Sequence, residues 1–323
     1  IMAEGYSQVF SDVDFKRLEV LADFTEQRDR IFESVPEIKD IEEEIRTLGA
    51  DSARAIIKKD DGKKAEIKKK IEALRKKEKA LLKAAGYPET ALERKFYCNK
   101  CKDTGFVNGK VCSCVTDEII KLKQNKFTKL SPAPKADFES FDLSYYPKEP
   151  LQVGKRSIIP YQSMEAAYNY CKDYAANFTP NSKSLLLIGS SGLGKTHLAC
   201  SIAKEVMEKK YTVMYASAQV LFGKIDQARY TEDDILTDIL DCDLFILDDL
   251  GAETLSSYSL GIMYNIVNTR MIQNHPTIYT TNIASQNELS KRYGEKISSR
   301  ILGTCVFLNF FGKDIRLIKS KRI

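Results

Sequence analysis

The feature that most constrains this chain is a glycine-rich segment of the G-x-x-x-x-G-K-[ST] type. The apolar run 185–188 before it predicts a strand, and residues 197–209 after it predict a helix. Glycines let the backbone wrap around a polyphosphate, while successive N–H groups and the helix N-terminus favour its negative charge. The segment therefore predicts a nucleoside triphosphate site. Its residues are Gly189, Ser190, Ser191, Gly192, Leu193, Gly194, Lys195 and Thr196, followed by His197.

Two side chains of this segment have specific expected roles. Lys195 is expected to reach the β- and γ-phosphates, and Thr196 to place its hydroxyl on Mg²⁺. ATP and Mg²⁺ are therefore predicted cofactors. The alternative is a Gly/Ser-rich turn that matches by chance, and the strand and helix on either side disfavour it.

Two further strand-like runs end in polar residues. The run 244–247 is followed by Asp248 and Asp249, which is a Walker B pattern. We expect Asp248 to hold the Mg²⁺ shell and Asp249 to orient or activate the attacking water. The run 278–281 is followed by Asn282, which is placed to contact the γ-phosphate or the water, the role called sensor 1. Lys195, Asp248, Asp249 and Asn282 thus form a candidate catalytic set.

Apolar strand candidates alternate with helical stretches in the second half of the chain. This alternation predicts an α/β fold of the P-loop type, a doubly wound and mostly parallel sheet covered on both faces. The nucleotide would then lie at the C-terminal ends of the strands. The strand candidates are 185–188, 213–216, 244–247, 278–281 and 306–308.

Four of the eight cysteines are clustered as C-x2-C and, ten residues later, C-x-C. Between the pairs, Asn108-Gly109 predicts a β-hairpin, which would bring four thiolates together as a tetrahedral structural zinc site. Four protein ligands leave no open position, so the site would not be catalytic. The alternative is redox or disulfide use, which an intracellular chain disfavours. The predicted ligands are Cys98, Cys101, Cys112 and Cys114.

The N-terminal part predicts helices. Apolar residues at helical spacing predict one helix over 11–34, and a capping box formed by Ser34 and Glu37 is expected to begin a second. The second pattern runs to a turn at 60–62, and a further helix follows and ends at 86–88. Together these segments predict a helical hairpin packed as a short antiparallel coiled coil.

The outer faces of these helices are rich in lysine between residues 58 and 83. One interpretation is a surface for nucleic acid or an acidic partner; the favoured one is a solvated helix face. A net charge of +5 permits nucleic-acid contact without arguing for it. No run is long enough to span a membrane, and no signal pattern begins the chain. We therefore expect a cytoplasmic protein without membrane contact.

The order and spacing of the motifs resemble AAA+ ATPases of the DnaC/DnaI branch. Besides the segments above, the resemblance is carried by 250–253 after the acid pair, Thr280-Thr281 before Asn282, and 292–301 with Tyr293-Gly294 and Ser299-Arg300-Ile301. Members of this branch are bacterial replicative-helicase loaders, and the transposition ATPase IstB is close kin. The resemblance covers roughly 136–323, and the zinc site after a helical segment is similar in style to Gram-positive loaders.

The resemblance implies a role for Arg300 as an arginine finger, which completes the ATP site of a neighbouring subunit. The alternative is a surface arginine paired with Glu295. Only 23 residues follow Arg300, too few for a helical C-terminal lid, and sensor 2 has no candidate. Within this branch the truncation is expected and implies weak hydrolysis by the isolated protein.

The resemblance also implies an organisation and partners. We expect a hexameric replicative DNA helicase, single-stranded DNA, and self-association into a ring or spiral on the helicase. The expected domains are 1–95, helical and helicase-binding; 96–126, the zinc module; 127–135, a linker; and 136–323, the AAA+ ATPase domain without a lid.

A helix is expected over 219–230, after the second strand. In related loaders this region faces single-stranded DNA. An equally good interpretation is an ordinary amphipathic helix with Leu221 and Ile225 in the core. The candidate DNA contacts are Lys224 and Arg229 for phosphate, and Phe222 and Tyr230 for base stacking.

Three functional hypotheses remain. The leading one is an ATP-dependent loader of the replicative helicase. A second is an IstB-like transposition ATPase that binds duplex DNA, which the zinc site disfavours. A third is a nucleotide-gated binding module that hardly turns over; Asp249 and Arg300 argue instead that hydrolysis is possible.

Overall fold

A computed structural model describes the backbone of residues 2–58, 60–130, 133–227 and 233–320. The side chains of 2–12, 126, 128–130, 227 and 233–234 lie outside that description. The chain divides into two compact units, Ile1–Ile119 and Ile120–Ile323. The first contains long helices and the cysteine cluster, and the second contains a large parallel sheet.

Three helices begin the first unit: α1 (Met2–Ser34), α2 (Pro36–Ile57) and α3 (Asp61–Ala84). Ile38 near the start of α2 shares a buried cluster with Leu82 near the end of α3, so the two helices run antiparallel. The predicted helical hairpin is confirmed. The predicted capping box is wrong: the N-cap of α2 is Val35, without a side-chain hydrogen bond. Ser34 Oγ instead donates to the Ile31 carbonyl at 3.0 Å.

The apolar seam of this hairpin is interrupted by a buried acid. Glu78 is only 3% exposed, and its Oε2 accepts a hydrogen bond from Arg75 at 2.7 Å. Arg75 also pairs with Glu42 on α2. Burial raises the pKa of Glu78, and the neighbouring Glu42 acts in the same direction against the effect of Arg75. An ion-pair network thus occupies a position that a regular coiled coil would give to an apolar side chain.

A small hairpin follows the helices. Strands β1 (Phe106–Val107) and β2 (Lys110–Val111) pair antiparallel around Asn108-Gly109. Both turn residues have positive φ, 52° and 75°, as a two-residue hairpin turn requires. Helix α4 (Ser113–Leu130) begins directly after it. The predicted hairpin is confirmed, whereas the first residues of the expected linker, 127–130, are helical.

The second unit adds an antiparallel hairpin, β3 (Leu151–Val153) with β4 (Arg156–Ile158), and then helix α5 (Pro160–Ala176). In the rest of the unit, one or two helices separate successive strands. These strands and helices are β5 (Ser184–Ile188), α6 (Lys195–Glu208), β6 (Val213–Ser217), α7 (Ala218–Gln227), α8 (Asp233–Asp241), β7 (Leu244–Leu250), α9 (Ser257–Ile272), β8 (Thr277–Thr281), α10 (Gln286–Tyr293), α11 (Glu295–Thr304), β9 (Cys305–Asn309) and α12 (Ile315–Ser320).

Five parallel strands form the sheet in the order β6-β7-β8-β5-β9. Because successive side chains of a strand point to opposite faces, Leu185 and Leu187 enter one apolar cluster and Leu186 enters the other. The sheet is therefore buried on both faces, as a parallel sheet requires. The α/β fold class and all five predicted strands are confirmed.

Helix α7 covers most of the segment that we considered for DNA contact. Its Leu221 and Ile225 are buried, as the amphipathic interpretation predicts. Phe222 is also fully buried, so the expectation that it stacks on bases is wrong; its ring packs in the apolar cluster on one face of the sheet. Lys224 is half-buried. Arg229 and Tyr230 lie outside the described residues.

Within the described residues, no helix combines the length and the apolar character that crossing a bilayer demands.

Candidate nucleotide site

A cavity of about 450 Å³ opens where β5, β7 and β8 end. Because these three strands are adjacent and parallel, the loops after their C-terminal ends meet at one edge of the sheet. The cavity is lined by the glycine-rich loop, by the acid pair and by the amide at the end of β8. The lining residues predicted from the sequence are Ser191, Gly192, Leu193, Gly194, Lys195, Thr196, His197, Asp248, Asp249 and Asn282.

The loop between β5 and α6 depends on two glycines with left-handed backbones. Gly192 has φ 72° and Gly194 has φ 84°. A side chain at Gly192 would overlap the Asp314 carboxylate, and one at Gly194 would overlap the ring of Phe141. Gly194 is also the N-cap of α6, so the loop leads directly into the helix N-terminus. Backbone N–H groups there favour a bound anion.

The ammonium group of Lys195 uses all three of its N–H donors within the site. Nζ donates to the Gly189 and Ser190 carbonyls at 2.6 and 2.7 Å, and to Asn282 Oδ1 at 2.7 Å. Burial lowers the pKa of Lys195, Asp249 and Asp248 act against this shift, and Arg316 adds to it. The structure thus joins the predicted lysine and the predicted sensor amide by a direct hydrogen bond.

Asp248 is the centre of a buried hydrogen-bond cluster. Its Oδ1 accepts from the hydroxyls of Thr196 at 2.8 Å and Thr280 at 2.6 Å. Its Oδ2 accepts from the hydroxyl of Tyr215 at 2.8 Å. Burial raises the pKa of Tyr215, and the negative charge of Asp248 adds to that shift. The Thr196 hydroxyl and the Asp248 carboxylate are hard oxygen donors at one point, which suits a Mg²⁺ ion.

Asp249 adopts a strained conformation beside this cluster. Its φ is 56°, a region that residues other than glycine rarely occupy. The pairing of β7 with β8 shifts register between Leu247 and Leu250, which turns the Asp249 side chain out of the strand and into the cavity lining. Its amide N donates to Thr280 Oγ1 at 2.8 Å, and Oδ1 lies 3.5 Å from Asn282 Nδ2. Such strain concentrates at functional sites.

Arg300 lies apart from the lining of this cavity. It belongs to α11, where its Nε donates to Asn268 Oδ1 at 2.9 Å. Its guanidinium lies 4.9 Å from the ring centre of Tyr264. Among the described residues, its hydrogen-bond partners are Asn268 and Tyr264 on α9 and the Lys296 carbonyl, and not Glu295, the pairing that we considered. The structure therefore does not bring Arg300 to the nucleotide cavity of its own chain.

Sequence reasoning missed a C-terminal segment that closes one side of the cavity. The Ile315 amide donates to the Gly192 carbonyl at 3.0 Å. Helix α12 then places Arg316 and Lys319 in the cavity lining, with Lys319 Nζ 5.2 Å from the ring centre of Tyr145. We found no candidate for a second basic contact after Arg300, because a six-residue helix carries too short a pattern to be recognised.

Aromatic residues before β5 complete the loop side of the cavity. The Tyr146 hydroxyl donates to the Leu193 carbonyl at 2.9 Å, and Phe141 stacks on Tyr146 with ring centres 5.9 Å apart. His197 lies 5.4 Å from Phe141, and its Nε2 is 2.8 Å from the Asp137 carbonyl. These rings offer an apolar wall next to the phosphate loop, where a nucleotide base would lie.

In the first unit, the four clustered cysteines meet at one point. Their sulfur atoms lie within 4.8 Å of one another. The Cys98–Cys112 and Cys101–Cys114 pairs are 3.8 and 3.7 Å apart. Zn–S bonds of about 2.3 Å in a tetrahedron require sulfurs about 3.8 Å apart, whereas a disulfide requires about 2 Å. Backbone hydrogen bonds, chiefly from Cys101, lower the pKa of Cys98 to about 7, which favours its thiolate. The donor set therefore fits zinc.

Comparison with known families gives one match to a family model. Residues 162–320 match the family described as IstB-like ATP binding protein. This region contains every element of the nucleotide cavity from the glycine-rich loop to α12. It also contains Arg300.

Two relatives illustrate how far sequence similarity extends. The replicative helicase loader DnaC of Escherichia coli K12 is 30% identical over 149 residues, which is 45% of this chain and 60% of DnaC. The phage-like element PBSX protein XkdC of Bacillus subtilis is 25% identical over 256 residues, 75% of this chain and 91% of XkdC. The chain thus spans about 60% of the length of the DnaC proteins that it matches.

Solved structures with similarity to this chain include a crystal structure of the DnaC helicase loader and one of DnaI. The first is 25% identical with a TM-score of 0.45, and covers 57% of this chain and 99% of its own. The second is 23% identical with a TM-score of 0.44, and covers 56% and 90%.

Proposed function

We propose that this protein is an ATP-dependent loader of a replicative DNA helicase, and that residues 162–320, which match the IstB-like ATP binding protein family, belong to its AAA+ ATPase domain. The observation that carries the proposal is the convergence of three strand ends on the glycine-rich loop. Lys195 meets Asn282 there, and Thr196 meets Asp248. A loader of this kind binds the helicase, assembles with it on single-stranded DNA, and uses ATP to time its release.

The nucleotide site works through the chain's own donors. Lys195 exchanges one of its hydrogen bonds to Gly189, Ser190 or Asn282 for a phosphate oxygen, because an ammonium has three donors and all are in use. Thr196 and Asp248 would hold Mg²⁺, which would neutralise charge on the phosphates when bound. Asp249 and Asn282 orient the attacking water, and Arg316 lies in the cavity lining to contact the phosphates from the C-terminal side.

Hydrolysis is completed between subunits. Arg300 is held by α9 outside the cavity of its own chain, which supports a role toward the nucleotide of a neighbour. An arginine supplied from a second subunit stabilises charge that develops on the transferred phosphoryl group. This arrangement makes turnover depend on assembly, so the isolated protein is expected to hydrolyse ATP weakly.

The first unit supplies the grip on the helicase, and Cys98, Cys101, Cys112 and Cys114 hold a structural zinc ion within it. A segment as small as the β1–β2 hairpin buries little apolar surface, so metal binding provides its folding free energy. The proposed domains are the helical region 1–95, the zinc module 96–126 and the ATPase domain from 136 onward, joined through helix α4 and the segment after it.

The test is co-purification with the hexameric replicative helicase of the same source, with and without ATP. The full chain is compared with a version that begins at residue 120, which keeps the two hydrogen bonds between the Gln124 side chain and the backbone of Val213. We expect a complex that the shorter version cannot form. Absence of a complex under every nucleotide condition would contradict the loader function.

The matched family favours one second candidate, an IstB-like ATPase that assembles on duplex DNA. Binding of long duplex DNA in preference to single strands, without helicase binding, would support that candidate.

The variant Asp249→Asn distinguishes both the loader and the IstB-like ATPase from a nucleotide-gated binding module that hardly hydrolyses ATP. We expect the variant to keep ATP binding and to lose at least about 90% of phosphate release and the timed release of the partner.

A further inference from the structure

A buried carboxylate joins the turn after β7 to the α10–α11 helix pair. Glu253 is 2% exposed, and buried carboxylates require partners. Its Oε2 accepts a hydrogen bond from the Gly251 amide at 2.8 Å. Its Oε1 accepts from the hydroxyl of Tyr293, and Arg292 Nε lies 3.9 Å from the same oxygen. Glu253 is therefore bonded to two separate elements at once.

On one side Glu253 fixes the turn that carries Asp249. Gly251 has φ 113°, and Ala252 donates its amide to the Asp249 carbonyl at 3.2 Å. The turn is thus closed within a few residues, and Asp249 sits in it at φ 56°. A non-glycine residue persists in that conformation only where the surrounding bonds hold it. The bond from Glu253 to Gly251 is one of those bonds.

On the other side Glu253 holds the end of α10. Tyr293, which is 1% exposed, is the last residue of that helix. Helix α11 follows after Gly294, and the Ser290 and Ser298 hydroxyls link the two helices at 2.8 Å. Arg300 lies on α11. The position of the arginine is therefore set by a helix pair whose corner is bonded to Glu253.

We propose that Glu253 is a positioning residue that sets Asp249 and Arg300 relative to each other. The inference rests on the proposed function, in which Asp249 acts on the nucleotide of its own subunit and Arg300 on that of a neighbour. Through Glu253, the geometry of one nucleotide site determines how the arginine is presented to the next site. Adjacent sites in the assembly are thereby coupled by a bond inside each subunit.

A purely structural role predicts a different pattern of defects. If Glu253 and Tyr293 only stabilise the fold, removing their bond harms a subunit whether it supplies the nucleotide site or the arginine. If the bond positions Arg300, its loss harms only the subunit that supplies the arginine. Subunits that perform one task each can separate these cases.

The experiment mixes two single-task variants on single-stranded DNA, with and without the helicase, and measures phosphate release. Arg300→Ala subunits keep a nucleotide site but offer no arginine, and Lys195→Ala subunits offer the arginine but have a defective nucleotide site. We expect the mixture to recover activity that neither variant has alone. Failure to recover activity would contradict the interface site of the proposed function, and the coupling with it.

Tyr293→Phe is then added to one partner at a time, since it removes a single hydroxyl and keeps the buried ring. On the Lys195→Ala partner we expect about a tenfold loss of the recovered activity, because small misplacements of reacting groups are costly. On the Arg300→Ala partner we expect less than about a twofold loss. Glu253→Gln, which disturbs both sides of the link, is expected to reduce activity on either partner.

Tyr174→Phe is the matched control. It also removes one tyrosine hydroxyl bond, to the Lys183 carbonyl at 2.9 Å, away from the turn and from α10. We expect equal activity whichever partner carries it. With the control mixtures active, equal losses from Tyr293→Phe on both partners, or no loss on either, would overturn the coupling while leaving the proposed function in place. If Tyr293→Phe subunits fail to fold, Glu253→Gln decides: unchanged activity on both partners would overturn it.

Discussion

The two units of this chain differ in what holds them together. In the second unit, apolar side chains from alternate positions of β5 enter clusters on both faces of a five-stranded sheet. In the first unit, a small buried cluster consists of Ile31, Ile38, Leu82 and Ala91. The comparison teaches that apolar side chains packed on both faces of the sheet stabilise the second unit, whereas the first unit relies on long helices, on ion pairs and on the cysteine cluster.

Metal removal is expected to give the largest difference between the two units. Chelation, or Cys101→Ser with Cys112→Ser, should unfold the segment from Cys98 to Cys114, because structural zinc contributes about 10 kcal/mol or more to such folds. The second unit should keep the affinity for ATP that we propose for it. Hydrogen exchange and nucleotide titration measure the two effects.

Elemental analysis provides the control, with one zinc ion expected per chain. Loss of ATP binding on chelation, in buffer with ample Mg²⁺, would contradict the independence of the units. A chain purified without zinc that keeps slow exchange in this segment would contradict the metal site.

Core truncation should give the next largest effect. Ile246→Ala in the sheet and Leu82→Ala in α3 each remove a fully buried side chain, at a cost of about 2–5 kcal/mol. The small cluster of the first unit leaves fewer other contacts, so Leu82→Ala should abolish its separate unfolding transition. Ile246→Ala should only lower the melting temperature of the second unit. Calorimetry of the full chain measures the unfolding transitions of both units. Loss of the transition of the second unit in Ile246→Ala, with only a lowered melting temperature of the first unit in Leu82→Ala, would contradict the comparison.

Lys195→Ala should affect the second unit alone. We expect about a hundredfold loss of ATP affinity, since hydrogen bonds to charged groups are worth about 1.5–3 kcal/mol each. Zinc content and the helices of the first unit should not change. Nucleotide titration by fluorescence measures the loss, with Lys224→Ala as a control outside the cavity. Unchanged affinity would contradict the phosphate assignment.

The smallest effect concerns Glu78. Its pKa is raised above the ordinary 4.5 in the folded state. The folded state therefore binds the Glu78 proton more tightly than the unfolded state does. The stability that this proton adds is fully present below pH 4.5, and it is lost as the pH rises through the pKa of Glu78 in the folded state. Glu78→Gln, which mimics the protonated form, should stabilise the first unit by about 1 kcal/mol or less at pH 7. Near pH 4 the gain should vanish.

Denaturant unfolding at the two pH values measures this gain. Glu72→Gln on the exposed side of the same helix is the control and should change little at either pH. Equal stabilisation by Glu78→Gln at both pH values would show that the effect does not arise from titration of the buried carboxyl.

Much of this structure could be predicted because its signals are local. Each buried parallel strand is an apolar run, and the motifs follow directly after three of them, so their meeting point could be inferred from topology. The start of α2 was predicted wrongly, because the Ser34 hydroxyl bonds the Ile31 carbonyl and the Tyr87 hydroxyl instead of capping the helix. The sequence pattern cannot rank such local alternatives.

Other features depend on contacts between distant residues. The Tyr146–Leu193 bond joins segments far apart along the chain, and Arg316 reaches the cavity from the C-terminal helix, so no local periodicity in the sequence predicts either feature. The stacking role considered for Phe222 was wrong because an aromatic residue two positions from a lysine suits both nucleic-acid stacking and a core. Only its burial distinguishes the two.

The bond between Ile315 and Gly192 has a consequence for biosynthesis. The phosphate loop is translated long before residues 310–316, yet its final shape includes contacts with Phe310, Asp314 and Ile315. A ribosome-bound chain that stops short of this segment lacks one wall of the nucleotide cavity. A nascent chain would thus have a complete nucleotide cavity only after residue 316 has emerged from the ribosome.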